Sequence, residues 1–204
     1  MKGNAKRALA VLLIIAIAIG IGFAVDAIWT LIERQTHPQS YTEIIARYAE
    51  EYNIPKEIVY AVIKAESDFD PEAKSSVGAI GLMQMMPSTF EWLTGDEHLG
   101  EHLPVSSLTD PEVNIRYGTY YLLYLYRKFD YNWNTTFAAY NGGEGNVAKW
   151  LKSAEYSDGQ GNLTNIPYPE TASYVKRVND AIEIYRELYF ENTNPNGEVT
   201  NEQK

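Results

Sequence analysis

Glu66 is the residue whose position most invites chemistry. On a helix turning by about 100° per residue, Ile58, Val59, Val62, Ala65 and Phe69 gather on one face, and Glu66 falls in its middle, between Val62 and Val59. Glu57 and Asp68 point the other way, where charges belong. An ionised carboxylate among apolar side chains is expensive to desolvate, so Glu66 must either find a partner or keep its proton to an unusually high pH. A carboxyl group still protonated near neutrality is a proton donor. The plainer alternative is a glutamate near a helix end that pairs with a neighbouring lysine or accepts from a backbone amide. Asp70 is the nearest candidate for a second acid, but it stands directly before Pro71, where a short acid commonly caps a turn.

Two other stretches could serve the same site. Gly78-Ala79-Ile80-Gly81-Leu82-Met83-Gln84 sets spaced glycines before an amide, a pattern for backbone held close to another group. Ala139-Tyr140-Asn141-Gly142-Gly143 ends a helix with a phenol and an amide on a turn. Amides match hydroxyl and N-acetyl groups and aromatic faces pack on pyranose C–H surfaces, so these residue types suit neutral sugars. Singly, each is equally explained as a loop. Two rival motifs point to metals. His98-Leu99-Gly100-Glu101-His102 fits a zinc-protease pattern, which requires a continuous helix, whereas Gly95, Gly100 and Pro104 make the segment a loop. Ser157-Asp158-Gly159-Gln160-Gly161-Asn162 hints at a calcium loop but lacks the ligand order and the closing glutamate. No metal and no cofactor are expected.

The elements that must position these residues are helices. Of 204 residues 45% are apolar, with 16 tyrosines and 4 tryptophans, enough to bury a core. The absence of cysteine excludes disulfides, thiol nucleophiles and cysteine zinc sites. The net charge of -10 disfavours nucleic acid as a partner. Helical spacing runs through Tyr41 to Tyr52, from Pro55 to a stop at Pro71, from Asp110-Pro111 through Phe129, over Thr135 to Tyr140, over Gly145 to Ser153, and along Tyr174, Val178, Ile182, Tyr185 and Tyr189. A mainly α domain over 41–190 follows, with a flexible polar tail over 191–204.

The N-terminus differs in kind. Residues 1–27 hold three cations and one anion, a net charge of +2, so the remaining chain carries -12 to give the total of -10. Ala8 to Val25 carries no charge, and as a helix its 18 residues span about 27 Å, close to the hydrocarbon thickness of a bilayer. Residues 1–7 are then a short basic cytoplasmic end, 8–25 a transmembrane signal anchor, and 26–40 a linker to a domain outside the cytoplasm. The alternative is a signal peptide, cleaved near Val25-Asp26-Ala27, that releases the domain.

Together these residues resemble the soluble-type lytic transglycosylases, whose catalytic domain is goose-lysozyme-like. The resemblance rests on Ala65-Glu66-Ser67 with Asp70-Pro71, Ser75 and Gly78-Ala79; on Gly81-Leu82-Met83-Gln84 with Met86-Pro87 and Thr89; on Ala139-Tyr140-Asn141 with Gly145-Asn146-Val147 and Trp150; and on Glu170-Thr171 with Tyr174-Val175 and Val178. It implies a lysozyme-like helical fold behind one N-terminal transmembrane helix. It also implies a bacterial enzyme that cleaves peptidoglycan glycan strands between N-acetylmuramic acid and N-acetylglucosamine, leaving 1,6-anhydro ends, with Glu66 as sole acid and base. Ser75, Met83, Gln84, Tyr140, Asn141 and Tyr174 are implied substrate-binding residues, and a monomer is expected. A hydrolytic muramidase and an inactive wall-binding module are the alternatives. The chain departs from the family where Gly143 and Glu144 replace the more usual Ala and Pro, which bears on substrate preference.

Overall fold

A computed structural model describes the backbone of residues 2–190; the expected polar tail, 191–204, lies outside the described residues. The chain divides into two compact units, 1–38 and 39–204.

The first unit is one helix, α1 (Lys2–Thr36). Residues Leu9–Thr36 make a helix long and apolar enough to cross a membrane, with a mean hydropathy of 2.7 over 18 residues. Its large apolar side chains from Leu9 to Ile32 are exposed, Phe23 to 72% and Trp29 to 61%. That much bare apolar surface, at roughly 1.5–3 kcal/mol per large side chain, is what a membrane-spanning helix or a signal sequence presents. The linker expected over 26–40 is helical as far as Thr36. The first charge, Asp26, ends the apolar run but not the helix, because nothing up to Thr36 breaks the backbone pattern and the Trp29 indole donates to Glu33 one turn on, at 2.7 Å.

The second unit contains α2 (Thr42–Tyr52), α3 (Lys56–Ser67), α4 (Pro87–Leu93), a 3-10 turn (Val105–Thr109), α5 (Pro111–Lys128), α6 (Trp133–Gly142), α7 (Glu144–Trp150) and α8 (Pro169–Tyr185), followed by a π-helical turn (Arg186–Phe190). The described residues form no strand, only isolated bridges such as Lys74 with Ile80 and Ile80 with Met85. Helix starts follow their capping chemistry. Asp110 accepts from the amides of Glu112 and Val113 with Pro111 behind it, and Asn132 accepts from Thr135, each such cap contributing about 1 kcal/mol.

α3 is the hub. Ile58 to Ile63 are all buried, and the helix lies along α8, while α2 packs on α5 and α6 on α8. A smaller cluster of Met85, Phe90, Leu93, Leu108 and Tyr117 ties α4 to α5. α3 ends earlier than Pro71, at Ser67, because Asp68 and Phe69 both turn left-handed, at φ 53° and 66°. Each such residue costs on the order of 1 kcal/mol, and two in succession, beginning two residues after Glu66, mark a constrained segment.

Candidate active site

Glu66 occupies the last turn of α3, on the face toward α6 and α8. Burial is the largest influence on its carboxyl, raising the pKa from 4.5 to about 7, against the lowering effects of the Tyr174 phenol and then of the Arg177 charge. The C-terminal end of a helix dipole adds to the disfavour for a negative charge. Asp70 is exposed and its Oδ1 accepts from the Glu72 amide at 2.9 Å, so it caps a turn.

Tyr140 and Tyr174 flank the acid, and both phenols are pushed well above their usual pKa, first by burial and then by the charge of Glu66. Tyr140 comes from α6 and donates to the carbonyl of Met83 at 2.8 Å, which ties it to the 80–86 loop. Tyr174 comes from α8. Its hydroxyl is buried without a partner at full hydrogen-bonding geometry, yet it faces the carboxyl closely enough to favour its charged form. The Arg177 guanidinium lies 5.8 Å from the Tyr174 ring centroid and donates to Ser173.

The loop beneath is locked by backbone needs. Gly81 adopts φ 78°, and a Cβ there would lie 2.3 Å from Nδ2 of Asn114. Buried Asn114 accepts from the Met83 amide at 2.7 Å and donates to the carbonyls of Ile80 and Leu108. Gln84, at φ 46°, donates through Nε2 to the carbonyls of Ala73 and Gly81. Ser75 receives the Ala79 amide on its hydroxyl at 2.9 Å and so holds its own turn. Asn141 accepts from Thr171 at 2.8 Å, keeping its amide nitrogen for another partner.

Among the residues marked from sequence, Glu66, Tyr140 and Tyr174 come together, with Asn141 next to Tyr140 in the chain and Gln84 on the loop that Tyr140 anchors. Met83, expected to bind substrate, turns its side chain away from solvent. Its side chain is fully buried in the space that the missing side chain of Gly118 leaves, and its part in the site is through its backbone. The methionine of this loop that reaches solvent is Met86, at 37% exposure. Asn114 and Arg177 were missed, and Thr171 was marked only as part of the resemblance, with no role assigned to it; Asn114 left a signal, a polar residue on the apolar side of α5.

The rival metal motifs dissolve. Residues 98–102 lie outside any helix; His98 packs edge-on against Trp92, Glu101 pairs with Arg116, and His102 with Asp96. In the 157–162 turn, Asp158 accepts from the Asn162 side chain and the Gln160 amide.

Residues 43–162 match the family profile of the transglycosylase SLT domain. The chain is 38% identical over 152 residues to the soluble lytic murein transglycosylase of Escherichia coli K12, covering 74% of this chain and 23% of that one. The crystal structure of the 70 kDa soluble lytic transglycosylase from Escherichia coli superposes with a TM-score of 0.70 at 35% identity, over 83% of this chain and 27% of that chain. An inactive Glu-to-Gln mutant of the lytic transglycosylase Slt from Pseudomonas aeruginosa superposes at 0.66 with 33% identity, over 74% and 24% of the two chains. The chain thus spans about a quarter of the length of these relatives.

Proposed function

The chain belongs to the transglycosylase SLT domain family, and from that premise we propose that it is a peptidoglycan lytic transglycosylase. The observation that carries the reading is a largely desolvated carboxyl, its pKa raised to about 7, flanked by the Tyr140 and Tyr174 phenols, while the nearest candidate second acid in the sequence, Asp70, is exposed and caps a turn. Glycosidases with two carboxyl groups use one as acid and one as nucleophile or base. Glu66 alone can take both parts in turn if the sugar supplies its own nucleophile. Protonated Glu66 gives its proton to the oxygen linking N-acetylmuramic acid to N-acetylglucosamine as the bond to C1 breaks. The carboxylate left behind then takes the proton of the muramoyl C6 hydroxyl as that oxygen bonds to C1, closing a 1,6-anhydro ring. The ring closure is intramolecular, which orientation can accelerate by orders of magnitude. The half-buried amides of Gln84 and Asn141 and the loop around Ser75 suit the N-acetyl and hydroxyl groups of such a strand.

α1 anchors the protein in the membrane. Lys2, Lys6 and Arg7 hold the N-terminus on the cytoplasmic side, placing 39–190 outside, where peptidoglycan is. The test is mass analysis of the muropeptides released by the purified full chain. Products one water lighter than muramidase products support the reading; ordinary reducing ends make the protein a lysozyme, and no products a binding module.

A further inference from the structure

A groove of about 370 Å³ is lined by residues that include Ser88, Thr89, Trp92, Tyr121, Gly143 and Glu144. Tyr121 links it to Glu66. Its ring centroid stands 5.4 Å from that of Tyr140, whose phenol feels the Glu66 charge. On the opposite side the part-exposed Trp92 packs edge-on against Tyr124 at 4.9 Å, and Tyr124 lies parallel to Tyr121 at 6.2 Å. A ring face, two hydroxyls and bare glycine backbone furnish space for a hexosamine.

Glu144 is out of keeping with a neutral sugar, and it is the only charged residue of the groove lining. Gly143, at φ 85°, turns the chain so that Glu144 opens α7. Its Oε2 accepts from Lys128 Nζ at 2.9 Å, both side chains being a little over a third exposed. Lys128 approaches from the neighbouring hollow that it lines with Tyr120 and Tyr124, and it also donates to the Tyr124 hydroxyl at 3.0 Å. Oε1 of Glu144 is left for a second donor, and the Lys128 bond shows that an ammonium fits this carboxylate.

We propose that Glu144 makes the groove selective for an amino sugar with a free 2-ammonium, so that the enzyme favours glycan strands carrying N-deacetylated glucosamine beside the bond it cleaves. The inference rests on the reading of the chain as a peptidoglycan-cleaving enzyme. An ammonium on the strand pairs with Glu144 from the groove side as Lys128 does from behind. The chain's net charge of -10 adds attraction for a cationic strand and repulsion for an anionic one.

The experiment uses the detergent-solubilised full chain and two forms of one peptidoglycan. The first is treated with a glucosamine-specific deacetylase; the second is the same material re-acetylated with acetic anhydride. Initial rates of muropeptide release are measured at about pH 6, where an aliphatic amine is charged. The ratio of the rate on the deacetylated form to that on the re-acetylated form should fall about 3- to 5-fold in Glu144→Gln, the scale of a partly exposed ion pair. In Lys128→Gln it should rise, because a competing cation is gone. A role limited to tying α5 to α7 would move both variants in the same direction, and that result, or a ratio equal in all three proteins, overturns the proposal. Should Glu144→Gln fail to fold, Lys128→Gln decides alone. Wild-type protein that releases nothing from either substrate refutes the enzymatic reading instead; cleavage of both with an unresponsive ratio refutes only the role of Glu144.

Discussion

Replacing Glu66 by glutamine should make the protein inactive and more stable at once. In the folded chain the carboxyl titrates near pH 7, against an ordinary value of 4.5. At about 1.4 kcal/mol per pH unit, that gap means the folded state carries a cost of about 3 kcal/mol once Glu66 is ionised. Between those two values the folded protein holds a proton that the unfolded chain releases, so rising pH lowers stability across this window and has no further effect through this group above it. Glutamine keeps the shape without the charge. For a domain of this size about 1 kcal/mol shifts Tm by about 2–4 °C, so the variant should melt roughly 6–12 °C above wild type at about pH 8, with the difference vanishing near pH 4. Thermal melts of the detergent-solubilised proteins across that range make the measurement, with muropeptide release as the activity control. A melting difference that does not change with pH, or a glutamine variant less stable than wild type at pH 8, would refute the claim that Glu66 is a desolvated acid.

Tyr174→Phe should fold at least as stably as wild type, because the lost hydroxyl has no full hydrogen bond to forfeit, while the alkaline limb of the pH profile of kcat/KM moves upward as Glu66 loses a group that favours its ionised form. Gly81→Ala should cost about 2–4 kcal/mol in a denaturant titration and depress activity, since the new Cβ is strained by its positive φ and collides with Asn114, shifting the loop that carries Gln84. Single-cysteine labelling at exposed Val77 with a membrane-impermeant maleimide should proceed in intact cells; labelling only after lysis would reverse the proposed topology.

The position of Glu66 was legible because a helix has one period: three turns of apolar residues fix a face, and a carboxylate on it stands out. The cap at Asp110 was legible for a similar reason, since its role is local, whereas the start of α6 at Trp133, capped by Asn132, lies two residues ahead of the expected Thr135. The loop after α3 has no period, so sequence gave no means of telling that Met83 turns inward and Met86 outward. That choice depends on Gly118, 35 residues away, having no side chain to occupy the space. The end of α3 escaped for a related reason. Pro71 forbids a helix beyond it, but the stop at Ser67 comes from tertiary structure, where the Ser67 hydroxyl donates to the Leu82 carbonyl at 2.8 Å and the chain turns away to meet the loop. Where α1 stops was not legible, because apolarity sets what a membrane accepts, whereas backbone sterics set where a helix ends.

The orphan hydroxyl of Tyr174 has a place in the proposed reaction. A buried donor without a partner costs about 1–3 kcal/mol, and the described residues contain no other buried side-chain polar atom in that condition. It faces the one carboxyl group that must alternate between neutral and charged forms. With Glu66 protonated, the phenol has only the weak acceptor of a neutral carboxyl oxygen; once the proton has passed to the leaving oxygen, the carboxylate is a stronger, charged acceptor, and the low surrounding polarity adds to the difference. An interaction that grows as charge develops lowers the barrier, whereas one equally strong beforehand would only hold the acid in its ionised state. Arg177 acts in the same direction from farther out, across the Tyr174 ring. A second carboxylate near this site would work against the sequence, since its charge would hold the proton on Glu66 when it has to leave.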